Sequence, residues 1–164
     1  MARIAADALA AAGAAEVFCV GGDLQALRAH GLDARLDRHP GEGPLGGIVS
    51  GLTEARAPLV VVLTCDLPLI TGAEVTRVVA TLRAHEEAAA AAPVVDRRPQ
   101  FLTAAYRVGV ALAELRAAFD GGERAVRRGA RGLAWVGVDG LDLDHLLDAD
   151  RPEDLPGAAG ASHA

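Results

Sequence analysis

The chain has 164 residues, a formal net charge of −6, 51% hydrophobic residues and only 3% aromatic ones. That length suits one domain able to bury roughly 70% of its unfolded surface, with a core filled by Ala, Val and Leu. The acidic balance argues against a nucleic-acid partner, because phosphate binding draws on clustered cations. No apolar run approaches the ~20 residues of a membrane span. All 16 basic residues are arginine, so the chain contains no lysine. Cys19 and Cys65, with no secretory signal at the start of the chain, read as reduced small hydrophobes in a cytoplasmic protein.

Strong helix formers fill residues 2–12, and Gly13 stands where a helix cap belongs. Residues 16–20 read as a short buried strand ending in Gly21-Gly22-Asp23. A short helix over 24–30 stops at Gly31, and 34–36 is a brief strand leading to Asp37. Gly43-Pro44-Leu45-Gly46-Gly47 is a dense turn that opens a helix to about residue 56, with Pro44 near its first position.

Leu59-Val60-Val61-Val62-Leu63 is an apolar, β-branched run that ends at Asp66 and Pro68. Such a run predicts a central parallel strand covered on both faces, with Asp66 at its carboxyl end, where open α/β sheets place ligands.

Thr71 and Glu74 form a capping-box pattern for a helix reaching about residue 87. Further strands are expected over 88–95, 100–106, 133–138 and 145–147, with an exposed turn at Asp96-Arg97-Arg98-Pro99. Helices are expected over 108–119 and, rich in arginine, over 123–131. The run Ala88 to Ala92 reads as compositional bias rather than a structural device. Residues 148–155 turn into a last helical piece, and 156–164 read as a disordered tail. The alternation of strand and helix implies a single α/β domain over 1–155, with a mainly parallel, doubly wound sheet.

Several positions could carry chemistry. Asp66 is the best candidate metal ligand, since a hard carboxylate at a strand end suits Mg²⁺; the plainer alternative is a bond to its own turn. The 43–47 turn could hold an anion at a helix N-terminus, or simply need glycine's backbone freedom. Asp148 and Asp150, which flank a single alanine, could converge on a cation with Asp66, or Asp150 could cap a helix. Gly122-Glu123-Arg124 with Arg127 and Arg128 could reach phosphates, or form a solvated face. The five histidines show no metal-ligand spacing.

Together, Gly43-Pro44-Leu45-Gly46-Gly47-Ile48 with Ser50-Gly51-Leu52, Cys65-Asp66-Leu67-Pro68, Pro99-Gln100, Gly122-Glu123-Arg124 and the 148–155 stretch occur in an order that resembles one family. The chain is similar to the molybdenum cofactor guanylyltransferases, nucleotidyltransferases with a Rossmann-like, glycosyltransferase-A-type sheet. The resemblance implies Mg²⁺-dependent transfer of GMP from GTP to Mo-molybdopterin with release of pyrophosphate. It also implies Asp66 as the metal-binding and catalytic aspartate, and Gly21 and Asp37 as guanine-nucleotide contacts. Gly43, Pro44, Leu45, Gly46, Gly47 and Gln100 would line the substrate site, and Arg124, Asp148 and Asp150 would face the pterin or the metal. A molybdoenzyme or its chaperone is the implied protein partner.

The family opens with a strand and a lysine-bearing loop, G-G-x-S-x-R-M-G-x-D-K, whereas this sequence starts at the helix that follows them. The expectation is that the strands at 16–20 and 59–63, which flank that first strand in the family, each keep one unpaired edge. Three readings follow: a start placed too late, a remnant that survives by rearrangement or by pairing with another chain, or a non-catalytic protein that keeps a nucleotide or pterin site. Cytidylyl transfer to the same pterin is the alternative chemistry.

Overall fold

A computed structural model describes residues 1–149. In chain order it holds α1 (Ala2–Ala11), β1 (Cys19–Val20), α2 (Leu24–Ala29), β2 (Ala34–Arg35), α3 (Pro44–Glu54), β3 (Leu59–Leu63) and α4 (Gly72–Ala84). There follow β4 (Ala90–Val95), β5 (Arg98–Pro99), β6 (Thr103–Arg107), α5 (Val108–Asp120), α6 (Val126–Gly129) and β7 (Trp135–Val138). Single 3₁₀ turns cover Ala130–Gly132 and Leu143–Leu146. Of the helical piece expected over 148–155, residues 148 and 149 are not helical; its remainder and the tail over 156–164 lie outside the described residues.

The local signals act as their chemistry requires. Gly13 takes φ 83° after α1, and Pro44 opens α3, where its missing N–H costs nothing. The Thr71–Glu74 capping box closes reciprocally at the start of α4. Asp96 and Arg97 take φ 49° and 61° in the two-residue turn joining β4 to β5, as a tight hairpin demands.

Pairing is mixed rather than mainly parallel. β6 runs antiparallel to β3 on one side and to β4 on the other, while β4 also pairs with β5 antiparallel and β7 in parallel. β1 and β2 form a separate parallel pair. The register slips between β5 and β6 because Gln100, Phe101 and Leu102 bulge out.

Thr64 N–H donates to the Leu102 carbonyl and Val108 N–H to that of Pro58. By the two-residue period, Leu59, Val61 and Leu63 direct their backbone groups to the other edge of β3. No strand pairs with that edge among the described residues. In β1, Cys19 and Gly21 donate to Asp33 and Arg35, so Val20 faces away from β2. The strand expected over 16–20 therefore shortens to two residues and is half-buried. All five residues of β3 are half-buried too, and β3 is an edge rather than a central strand. A strand with one partner leaves its other edge open to solvent.

Alternation along the strands builds three layers. Val60, Val62, Ala104, Tyr106, Ala90 and Ala92 face α3 and α5 through Leu45, Ile48, Val49, Leu52, Leu115 and Phe119. The opposite set, Leu59, Val61, Ala105, Ala91 and Val136, meets Val78 and Leu82 of α4. The alanines of β4 and β6 are fully buried. The 88–92 run is thus a packing device: side chains this small let helices approach both faces and leave room for Tyr106. The Tyr106 hydroxyl donates to the Phe101 carbonyl at 2.5 Å, and burial pushes its pKa well above the usual phenol value.

The predicted strand over 145–147 is instead part of the Leu143–Leu146 turn. Asp142 accepts the Asp144 N–H at 3.1 Å, and this local bond favours a turn over a ladder. The basic helix expected over 123–131 contracts to α6 and a 3₁₀ turn. The Glu123 carboxylate takes the amides of Arg124 and Ala125 and delays the helix start.

Leu115→Ala should cost about 2–5 kcal/mol, because Leu115 has no exposed surface in the α3–α5 core. Val110→Ala, on the same helix but 58% exposed, should stay within about 0.5 kcal/mol of the parent. Paired urea denaturation curves check both.

Candidate active site

β3 delivers the chain to Asp66. Thr64 follows the last residue of β3 and Asp66 lies in the turn after it, and the Thr64 hydroxyl donates to Asp66 Oδ1 at 2.7 Å across that turn. The carboxylate is half-buried. Beyond it, Leu67 and Ile70 are buried with Ala8, Val75 and Leu146, which anchors the turn that aims Asp66.

The Asp66 carbonyl accepts the Ala149 N–H at 2.8 Å. That bond places the backbone following the exposed Asp148 against Asp66; Asp150 lies outside the described residues. Among the described residues, no three His, Cys, Asp or Glu side chains converge as cation ligands. The donors present still fit Mg²⁺, which takes one or two carboxylates and completes its shell with water and substrate phosphate. Burial pushes the Cys65 thiol pKa up, with Cys19 and Asp66 adding to it, and the Cys19 thiol pKa rises for the same first reason. Neither is an activated nucleophile.

A second cluster forms where β1 and β2 end. Asp37 Oδ1 accepts from the Ser50 hydroxyl at 2.7 Å and from the His39 N–H at 2.9 Å. Fully buried Ser50 in turn accepts the Arg38 N–H at 3.0 Å. Gly21, at φ 74°, packs directly on Asp37: a Cβ there would lie 3.3 Å from the Asp37 Cβ. Sequence reasoning names Ser50 only within a motif, yet it ties α3 to the loop carrying Asp37. Its signal is a lone hydroxyl on an otherwise apolar helix face.

At the third position, Gly43 takes φ 84° and starts α3. Two amides of the turn already donate within the protein, Leu45 to the Arg124 carbonyl at 3.3 Å and Gly46 to the Gly43 carbonyl at 3.1 Å. A Cβ on Gly46 would sit 2.9 Å from that of His39 and 3.2 Å from the Phe119 ring, whereas one on Gly47 meets nothing within 4 Å. Gly47 is the position with room for a ligand.

Arg124 folds back rather than reaching out. It bonds Glu42 at 2.6 Å and lies 4.1 Å over the Phe119 ring. Arg128 pairs with Glu123, whose carboxyl it and the backbone amides hold down at about 2. Gln100 occupies the bulge beside Leu102, next to the Thr64 end of β3, with its side chain on the Arg98 carbonyl at 3.2 Å. Three groupings result: Asp66 with Asp148, Gly21 with Asp37 and Ser50, and the Gly43 turn with Arg124.

A family model described as the MobA-like NTP transferase domain matches residues 1–134. The chain belongs to that family. A Burkholderia vietnamiensis protein named molybdenum cofactor guanylyltransferase is 43% identical over 121 residues, 71% of this chain and 58% of that protein. A Chloroflexus aggregans protein named "Probable molybdenum cofactor guanylyltransferase" is 34% identical over 134 residues, 76% of this chain and 64% of that protein. The chain thus spans about 58% and 64% of the lengths of these relatives.

Two crystal structures share the fold. Molybdopterin-guanine dinucleotide biosynthesis protein A from Archaeoglobus fulgidus matches with TM-score 0.64 and 24% identity, covering 82% of this chain and 72% of that one. The 2-C-methyl-D-erythritol 4-phosphate cytidylyltransferase from Thermus thermophilus gives 0.66 and 20%, covering 89% and 82%. The α/β fold of the MobA-like family is therefore the frame that holds these groupings.

Gly47→Ala should raise stability by about 0.5–1 kcal/mol through helix propensity. Gly46→Ala should lower it by about 1–3 kcal/mol through overpacking against His39 and Phe119. Thermal unfolding of the two variants measures the opposite signs.

Proposed function

We propose that this MobA-like chain carries the nucleotidyl-transfer site of a molybdenum cofactor guanylyltransferase. The observation that carries the reading is the Asp66 carboxylate, oriented by Thr64 just beyond β3, with the Ala149 N–H of the Asp148 turn donating to the Asp66 backbone carbonyl. The names of the curated relatives give guanylyl transfer and the molybdenum cofactor; on this reading GTP is the donor and Mo-molybdopterin the acceptor.

A terminal phosphate oxygen of the pterin attacks the α-phosphorus of GTP. The bond from that phosphorus to the bridging oxygen of the β-phosphate breaks, and pyrophosphate leaves. Alignment and charge neutralisation lower such a barrier. When bound, Mg²⁺ would supply charge neutralisation at the phosphates; Asp66 would hold it, with Asp148 on the adjoining turn as the second carboxylate. Gly21 lets the nucleotide approach the β1–α2 turn, and Asp37, with Oδ1 committed to Ser50 and His39, presents its remaining oxygen to the base. Gly47 and the Gly43–Pro44 turn border the phosphates, while Gln100 and Arg124 flank the acceptor.

Among the described residues no helix is long and apolar enough to cross a membrane, and a GTP-dependent reaction fits the cytoplasm. The product passes to a molybdoenzyme or its chaperone.

Calorimetric titration with GTP, with and without Mg²⁺, tests the site. Asp66→Ala should weaken the Mg²⁺-dependent binding by about 100-fold or more, since even residues that merely orient a ligand cost 10–100-fold. Binding unchanged in that variant would remove Asp66 from the metal site. Pyrophosphate release with GTP and CTP side by side, Mo-molybdopterin present, should favour GTP. Preference for CTP would make the chain a cytidylyltransferase, and binding without release would make it a cofactor-binding protein.

A further inference from the structure

One buried carboxylate serves two elements at once. Glu74 is 7% exposed, and its Oε2 closes the capping box by accepting the Thr71 N–H at 3.0 Å. Its other oxygen, Oε1, lies 3.0 Å from His145 Nδ1. An ionised carboxylate only accepts, so Nδ1 carries the proton and donates. His145 belongs to the Leu143–Leu146 turn, whose Leu146 is buried among Ala8, Leu67, Ile70 and Val75. Three residues later Ala149 donates to the Asp66 carbonyl. The chain between His145 and Ala149 carries Asp148 and is pinned at both ends.

We propose that His145 is a positioning residue, whose hydrogen bond to the buried Glu74 holds the Asp148 turn against Asp66. The proposal rests on the reading of Asp66 and Asp148 as the metal side of the site. His145 touches neither of them and acts through the backbone.

The arrangement responds to protons. The groups facing His145 are Glu74 from α4 and Asp142 and Asp144 from its own turn, with Asp142 Oδ2 3.8 Å from Nε2. Arg77 of α4 lies beside Gly140, at the entry to the turn; α1 and the loop after β3 contribute Ala8, Leu67 and Ile70. The hydrogen bond to Glu74 raises the His145 pKa, and the neighbouring carboxylates add to the rise against desolvation. For Glu74, burial alone would push the carboxyl up, but the bonds from Thr71 and His145 with the backbone amides outweigh it and hold it below its usual value.

The signs follow by linkage. The His145 contribution is complete below its unfolded pKa and is lost as pH rises through its raised folded value. The Glu74 contribution is present above its unfolded pKa and is lost as pH falls through its lowered folded value. The charged pair therefore holds between these limits and weakens toward alkaline pH, where neutral imidazole remains.

The test reads the latch directly, without nucleotide. NMR hydrogen exchange gives the protection factor of the Ala149 amide, and a histidine titration gives the pKa of His145, both in the full chain. Protection of Ala149 should fall several-fold as pH rises through the His145 pKa, while core amides such as Ala105 keep theirs. His145→Gln, which still donates a hydrogen bond but does not titrate, should flatten that dependence. Glu74→Gln, which keeps an acceptor for Thr71, should flatten it too. Ala149 protection that ignores both pH and these variants would overturn the latch.

Calorimetry then separates the two claims. An intact latch with no Mg²⁺-dependent GTP binding would count against the functional reading alone. Normal binding with a pH-independent Ala149 would count against the latch alone.

Discussion

The strict alternation of β3 is the constraint from which the rest of the arrangement follows. Val60 and Val62 must go to the α3–α5 layer, and Leu59 and Val61 to the α4 layer. A slip by one residue would exchange the two faces. That register is locked to β6 from Leu59 opposite Arg107 to Leu63 opposite Thr103, and it determines which way the chain points when it leaves the sheet. Asp66 sits in the turn just beyond β3. Sheet packing thus places the turn, and the Thr64 hydroxyl orients the carboxylate within it.

Local bonds then finish the site. Thr64 settles the carboxylate rotamer, Ser50 and His39 settle Asp37, and Arg124 closes the Gly43 turn with its backbone carbonyl. Each of these uses a polar group that would otherwise be left without a partner as water is excluded. No buried side-chain nitrogen or oxygen lacks one among the described residues. The cost of this economy shows in the arginines: of the three expected to reach phosphates, Arg124 and Arg128 are occupied by Glu42 and Glu123. Reaching a substrate would require them to exchange partners.

Much of the helical content is legible because its signals are local. Gly13, Pro44 and the Thr71–Glu74 box act through neighbours within one turn, so sequence alone places those boundaries closely. Asp66 is legible for the same reason, as the polar residue that ends an apolar run. Pairing is not local, and residues 59–63 look equally apolar whether a strand has one partner or two. The antiparallel course of β6 therefore escapes the pattern, and the open edge of β3 follows from the family resemblance rather than from residues 59–63 themselves. Residues 145–147 mislead because a short apolar stretch carries no period, and the deciding bond comes from Asp142 outside it. The Ala149–Asp66 contact joins two backbones and leaves no trace in side-chain identity. Thr64, by contrast, could have been found, since a hydroxyl two residues before a turn aspartate is well placed to donate to its carboxylate.

The central claim is that a divalent cation binds where β3 ends, between Asp66 and the Asp148 turn. Paramagnetic broadening by Mn²⁺, substituting for Mg²⁺ in the presence of GTP, locates the ion on the assigned NMR spectrum of the full chain. The account predicts that the amides of Thr64, Asp66, Asp148 and Ala149 broaden at the lowest Mn²⁺ level, ahead of amides in α5 and β7. Broadening centred elsewhere, with these four unaffected, would contradict it.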